Sequence, residues 1–188
     1  MQQDYIRFDD IDKDGPQHRV HTYDIAASEM EGDDVVGLGP VTMDVNVDKG
    51  DGPGEYLADG SVDFTADLTC ARCVDSFPFA NHSSFHLRFA PRPGGPAEET
   101  EEVELTSATE LDTEFYVERQ IPLRDLAVEQ IQLTIPMKPL CDERCLGLCA
   151  QCGKNRNREG CQCETAVMDE RWGALKDFKT GLLKKKES

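Results

Sequence analysis

Six of the chain's eight cysteines fall between Cys141 and Cys163, in "CDERCLGLCAQCGKNRNREGCQC", and the other two form "CARC" at Cys70 and Cys73. Cysteine at this density serves disulfides, thiol redox chemistry or metal ligation. Two thiolates separated by two residues can grip one tetrahedral ion while the intervening backbone turns and donates N–H groups to sulfur. Gly153, directly after Cys152, suits such a turn because it accepts positive φ. "CAQCGKNRNREGCQC" therefore reads as a compact four-thiolate site of Cys149, Cys152, Cys161 and Cys163 around zinc, although spacing alone leaves a two-histidine or iron–sulfur variant open.

Cys70, Cys73, Cys141 and Cys145 remain, and they form a second zinc site if "CARC" lies beneath the segment after Pro139. Two other arrangements are open at this level. Cys141, Cys145, Cys149 and Cys152 can share one ion, or "CARC" can stay without metal. One or two zinc ions are therefore expected.

The start "MQQDYIRFDDIDKD" lacks the basic-then-apolar order of a signal peptide, and no stretch approaches the roughly 18 apolar residues of a membrane span. The expectation is a cytoplasmic protein with no membrane partner, in a compartment where structural disulfides are rare. Thiol redox chemistry fits less well than metal. Redox pairs open a helix whose dipole lowers a thiolate pKa, whereas "CARC" runs on into Val74, Asp75, Ser76, Phe77 and Pro78, a strand or loop context.

Around the cysteines, the chain of 188 residues has room for one core and a small satellite. Val41, Met43, Val45 and Val47 alternate, as do Val62, Phe64, Ala66 and Leu68, and then Phe77, Phe79, Phe85, Leu87 and Phe89. These are strands with one apolar face, and the last two, joined at "CARC", pair antiparallel. "GDDVVGLGP" reads as a loop, and further strands are expected in "EVELTS" and "TEFYVERQ". Leu123, Leu126, Ala127, Ile131 and Leu133 recur at helical spacing, which predicts a helix over about 122–132, stopped before Pro136 and Pro139. Val167, Trp172, Leu175 and Phe178 predict a C-terminal helix packed on the body.

The fold class expected is thus α+β: a mainly antiparallel twisted sheet with one packed helix, then a small Cys-rich zinc-binding module and a C-terminal helix. The body spans 1–139, with 1–30 open between strand and helix and 91–102 a flexible acidic loop. Residues 140–188 form the zinc module, its helix and a basic tail.

Charge divides the chain in the same place. The net charge is -17, yet residues 138–188 hold 11 Lys or Arg against 8 Asp or Glu, so residues 1–137 carry -20. Such a body repels nucleic acid and attracts a basic protein. Its four histidines, His18, His21, His82 and His86, match no hydrolase spacing, and no glycine loop cradles phosphate, so no enzyme is expected.

In "LTCARCVDSF", "IPLRDLAVEQIQLTIPMKPLC", "CLGLCAQCGKNRN...CQC" and the closing "MDERWGALKDFK", the chain resembles the YceD family of bacteria and plastids. Order and spacing agree from about residue 40 to 180, with Glu170 standing where the family has proline. The resemblance implies a cytosolic, non-enzymatic α+β protein supporting synthesis, processing or stability of large-subunit (23S) ribosomal RNA, its cysteines acting as metal ligands. Two modes of action follow. In one, the acidic body shields or delivers a basic ribosomal protein to the large-subunit precursor. In the other, Lys154, Arg156 and Arg158, alternating between the ligand pairs, bind ribosomal RNA, with Asn155 and Asn157 bonding bases or phosphates and Lys184 to Lys186 extending the positive surface. The competing reading makes Asn155 and Asn157 turn residues that fold the loop and the lysines a solvated tail.

Overall fold

The structure is a computed structural model that describes residues 4–92 and 113–163. The strand expected at "EVELTS", most of the loop expected over 91–102, and the C-terminal helix and tail lie outside the described residues. Two compact units divide the chain, Met1–Cys145 and Leu146–Ser188.

In the first unit the elements run β1 (Tyr5–Arg7), α1 (Phe8–Asp14), β2 (Gln17–Tyr23), a 3-10 turn (Ala27–Glu29), β3 (Val35–Leu38), β4 (Val41–Lys49), β5 (Tyr56–Thr69), β6 (Ser76–Pro91), β7 (Thr113–Tyr116), β8 (Gln120–Pro122) and α2 (Leu123–Thr134). Six strands form the main sheet in the order β2-β4-β5-β6-β7, with β3 also on β5. Every pairing in it is antiparallel except β6 with β7. β1 and β8 form a separate antiparallel pair. The class is α+β, as the alternation predicts.

Alternation also decides which face is inside. Val41, Met43, Val45 and Val47 are wholly buried, and Tyr56, Ala58, Val62, Phe64, Ala66 and Leu68 continue that face along β5. Each large side chain so removed from water contributes about 1.5–3 kcal/mol. Over this face lies α2, which buries Leu123, Leu126, Ala127 and Ile131 of the helical stripe read from sequence; Leu133, counted in that stripe, is instead exposed, in the last turn of the helix. Asp44, Asp59 and Asp63 emerge on the other face, where they meet exposed His18, His86 and His82 in cross-strand pairs.

Two expectations need correction. "GDDVVGLGP" is not all loop: Val35–Leu38 form β3, which lies on the same edge of β5 that β4 occupies, opposite Ala66 to Leu68. Gly39 still donates to the Thr65 carbonyl at 2.8 Å, but Pro40 has no N–H and interrupts the ladder, so one broken strand looks like a loop and a strand. The packed helix is also not alone. α1 buries Phe8 and Ile11, and the Phe8 ring stacks on Tyr56 with centroids 3.9 Å apart. Arg119 anchors α1 from outside, reaching Asp9 at 2.8 Å and Asp12 at 2.7 Å. Residues left open between strand and helix thus supply both, and β2 joins the sheet.

No helix among the described residues is long and apolar enough to cross a membrane. In the second unit, residues 146–163 are built of turns around one bridge, Leu148 with Asn155.

Gly60, in the middle of β5, tests the register. A Cβ there would lie 2.5 Å from Phe85 Cζ, which can swing, and 2.6 Å from the Asp44 carbonyl oxygen, which cannot. Gly60→Ala should lower stability by about 1–3 kcal/mol, read as a lower urea midpoint at unchanged slope.

Candidate metal centres

The eight cysteines gather into two groups of four: Cys70, Cys73, Cys141 and Cys145 in the first unit, and Cys149, Cys152, Cys161 and Cys163 in the second. All eight are free thiols. Within each group the sulfurs lie within 4.8 Å of one another. The arrangement in which Cys141 and Cys145 join Cys149 and Cys152 is not the one adopted.

The first group is built by the turn between β5 and β6 and by the segment after Pro139. The Cys70 carbonyl accepts from Val74 N–H at 2.9 Å, and the Asp75 carbonyl accepts from Cys70 N–H at 2.9 Å. This closed turn puts both sulfurs on one side, with Cys70 and Cys73 buried. Opposite them, Asp142 builds the second half. Its carboxylate accepts from Arg144 N–H at 2.7 Å and its carbonyl accepts from Cys145 N–H at 3.0 Å. Arg72 joins the halves, donating to the Glu143 and Cys145 carbonyls at 3.0 Å each, while Ala71 N–H reaches the Pro139 carbonyl at 2.8 Å. Phe77 and Leu140 pack against the group.

The second group repeats the turn. Gly153 N–H donates to the Cys149 carbonyl at 2.9 Å, as Val74 does to Cys70, and both turn residues have positive φ, 72° at Gly153 and 62° at Val74. Gly153 meets the requirement anticipated from its place after Cys152. Val74 does not, because a β-branched residue in the left-handed region is strained.

Sulfur spacing fits a tetrahedral ion. Cys70 and Cys145 sulfurs are 3.8 Å apart, Cys73 and Cys141 3.7 Å, and Cys152 and Cys161 3.6 Å. A metal–thiolate bond of about 2.3 Å gives a tetrahedral edge of about 3.8 Å. Electrostatics points the same way. Burial opposes ionisation of Cys70, but the N–H groups of Cys141, Cys73 and Arg72 draw its thiol down to about 6. The N–H groups of Cys152 and Gln151 do the same for Cys149, also to about 6. Cys141, exposed as a residue, is pushed up to about 12 by desolvation of its sulfur and by the neighbouring thiols, and Cys163 to about 12 by Cys161 and Cys152. In each group one thiol, Cys70 or Cys149, thus ionises readily while another, Cys141 or Cys163, resists, because like charges this close need a cation among them.

Lys154, Arg156 and Arg158 occupy the loop between the halves of the second group, and Lys154 faces Glu159 at 3.7 Å. Asn155 and Asn157 are structural there: Asn157 accepts from Leu146 N–H at 2.8 Å, and Asn155 accepts from Asn157 N–H at 2.9 Å. Arg72 and Asp142 were not singled out from the sequence. The one available signal was their position inside "CARC" and "CDERC", where outer-sphere donors and turn formers belong.

A sequence profile of the family described as "Large ribosomal RNA subunit accumulation protein YceD" matches residues 58–179, from within β5 through all eight cysteines. Among curated proteins, "Large ribosomal RNA subunit accumulation protein YCED homolog 1, chloroplastic" of Arabidopsis thaliana is 24% identical over 145 residues. That alignment covers 68% of this chain and 45% of the relative, so the chain spans less than half the relative's length. No solved structure matches.

Two substitutions separate the roles of the turns. Val74→Gly exchanges a strain of roughly 1–2 kcal/mol for a glycine entropy cost of about 0.5–1 kcal/mol, so stability should hold or rise slightly, with metal content unchanged. Arg72→Ala should weaken metal at the first group about 10- to 100-fold, and at the second not at all, in competition with a chromophoric chelator.

Proposed function

The chain belongs to the YceD family of large ribosomal RNA subunit accumulation proteins, and on that premise we propose that it is a non-catalytic factor supporting synthesis, processing or stability of large-subunit ribosomal RNA. Family membership carries this reading. Its cofactor is zinc, one ion in each group. Four thiolates at tetrahedral spacing suit zinc, and a site with all four positions taken by protein has none left for substrate, which favours a structural over a catalytic role. Iron could take the same four sulfurs, but four single thiolates spaced for one mononuclear ion favour zinc over a cluster.

A cytoplasmic protein of this kind acts through its surfaces. The -20 charge on residues 1–137 favours a basic ribosomal protein as the body's partner during assembly of the large-subunit precursor. A second reading assigns ribosomal RNA contact to Lys154, Arg156 and Arg158, favoured by their alternation on exposed positions of one loop. Three cations support only a weak contact with a shallow salt dependence. The pairing of Lys154 with Glu159 and the commitment of Asn155 and Asn157 to folding the loop reduce what that contact can read.

The test is complementation. Cells depleted of the protein should lose large-subunit relative to small-subunit ribosomal RNA, and the wild-type chain should restore the ratio. Cys70→Ser/Cys73→Ser should fail to restore it, since removing two ligands removes most of the site's binding energy. An unchanged ratio on depletion would refute the functional reading.

A further inference from the structure

A cavity of about 820 Å3 opens in the first unit between α2 and the strands β6 and β7. Its apolar lining comes from Leu87 and Phe89 on β6 and from Leu126, Val128 and Leu133 on α2. Leu133 is 78% exposed at one end of it, a large apolar side chain with little of its surface covered among the described residues. Among the described residues, the charged groups around this lining are five acids and one base. Arg124, Asp125 and Glu129 come from α2, Glu114 from β7, and Glu29 and Glu31 from the segment before β3; β6 contributes no charge. Arg124 is already committed to Glu29 at 2.7 Å. Gln132 and Glu31 exchange hydrogen bonds, side-chain amide to carbonyl at 3.2 Å and backbone N–H to side-chain oxygen at 3.1 Å, which holds that acidic segment against the helix.

We propose that this groove docks a cationic amphipathic segment of a partner protein, its apolar side chains on the Leu87–Phe89–Leu126 floor and its Lys or Arg side chains on the acids at the rim. An apolar floor selects for aliphatic or aromatic side chains, and the unbalanced acids exclude a polyanion and favour ammonium or guanidinium groups. The 12 residues of α2 span about 18 Å, enough to flank about three turns of a bound helix.

A second feature of the rim fits the same occupant. Glu114 is held up to about 7, first by burial and then by the charge of Glu129, with which it shares a hydrogen bond. At neutral pH this pair therefore keeps a proton about half the time. An incoming cation replaces that proton as the counter-charge. Glu114 is protonated below 7 and ionised above it, so the groove gains one negative charge as pH rises, and cation binding strengthens in the same direction.

The inference rests on the reading of the acidic body as the partner of a basic protein, and its test is independent of ribosomal RNA. The probe is a fluorescein-labelled 14-residue peptide of Lys and Leu in helical period, compared with a scrambled peptide of the same composition, by anisotropy at pH 6 and pH 8 on the full chain. Binding should be tighter at pH 8. Glu114→Gln/Glu129→Gln, which relieves repulsion and so should not unfold the protein, should weaken binding about tenfold and abolish the pH difference. Asp59→Asn/Asp63→Asn, on the opposite face of the sheet, removes the same charge at pH 8 and should change affinity there less than about twofold. Equal binding of the scrambled peptide, or equal loss in both variants, would reduce the effect to general attraction by an acidic protein and overturn the proposal, even if the chain sustains ribosomal RNA. An unchanged ribosomal RNA ratio on depletion, with periodic, groove-dependent peptide binding intact, would refute the functional reading and leave the groove standing.

Discussion

Four thiols held within 4.8 Å of one another repel as they ionise, and that constraint organises the cysteine-rich part of this chain. It applies twice, to Cys70, Cys73, Cys141 and Cys145 and to Cys149, Cys152, Cys161 and Cys163. In the first group it also closes a long loop, because β6, β7, β8 and α2 lie between Cys73 and Cys141 in sequence. A divalent cation held there would join the tip of the β5–β6 hairpin to the segment after Pro139. Arg72 and the Ala71–Pro139 hydrogen bond already bring these parts together. Zinc binding gives about 10–16 kcal/mol in finger peptides, comparable to the whole stability of a domain. The first unit adds such a site to a core of its own. Among the described residues, the second unit has turns and one bridge in place of a core, so its fold would lean on such an ion more heavily.

The sheet's two faces divide the remaining work. Apolar alternation on β4 and β5 makes the inner face, and the pleat then leaves Asp44, Asp59 and Asp63 on the outer one. The acidity of the body is in part a consequence of a sheet that, among the described residues, is covered on one side only, its other face needing polar residues. The acids beside α2 differ, because they surround an apolar floor that a solvated surface does not require.

Strands with strict alternation and a helix with a clear stripe were readable from sequence because their side chains alone decide which face is buried. Two signals misled. Gly39–Pro40 broke one strand edge into what looks like loop and strand, since pairing to β5 is a long-range fact that local composition does not carry. α1 is seven residues long and holds its place through Phe8 on Tyr56 and Arg119 on two aspartates, contacts with partners more than forty residues away. The cysteine turns were legible through their two-residue spacing and through Gly153. The division of eight thiols into these two fours was read from sequence but not decided over its alternatives, because Cys141 and Cys145 are nearer in sequence to Cys149 than to Cys73, and only the fold brings "CARC" to them. Arg72 went unremarked for the same reason, as its acceptors are carbonyls some seventy residues on.

The most direct test of the central claim is native mass spectrometry of the full chain, with and without chelator, paired with elemental analysis for zinc and iron. Two zinc ions per chain are expected, lost together with compact charge states of the second unit's residues when chelator is added. One ion, iron in place of zinc, or an undisturbed metal-free protein would contradict the assignment of both four-cysteine groups as structural zinc sites.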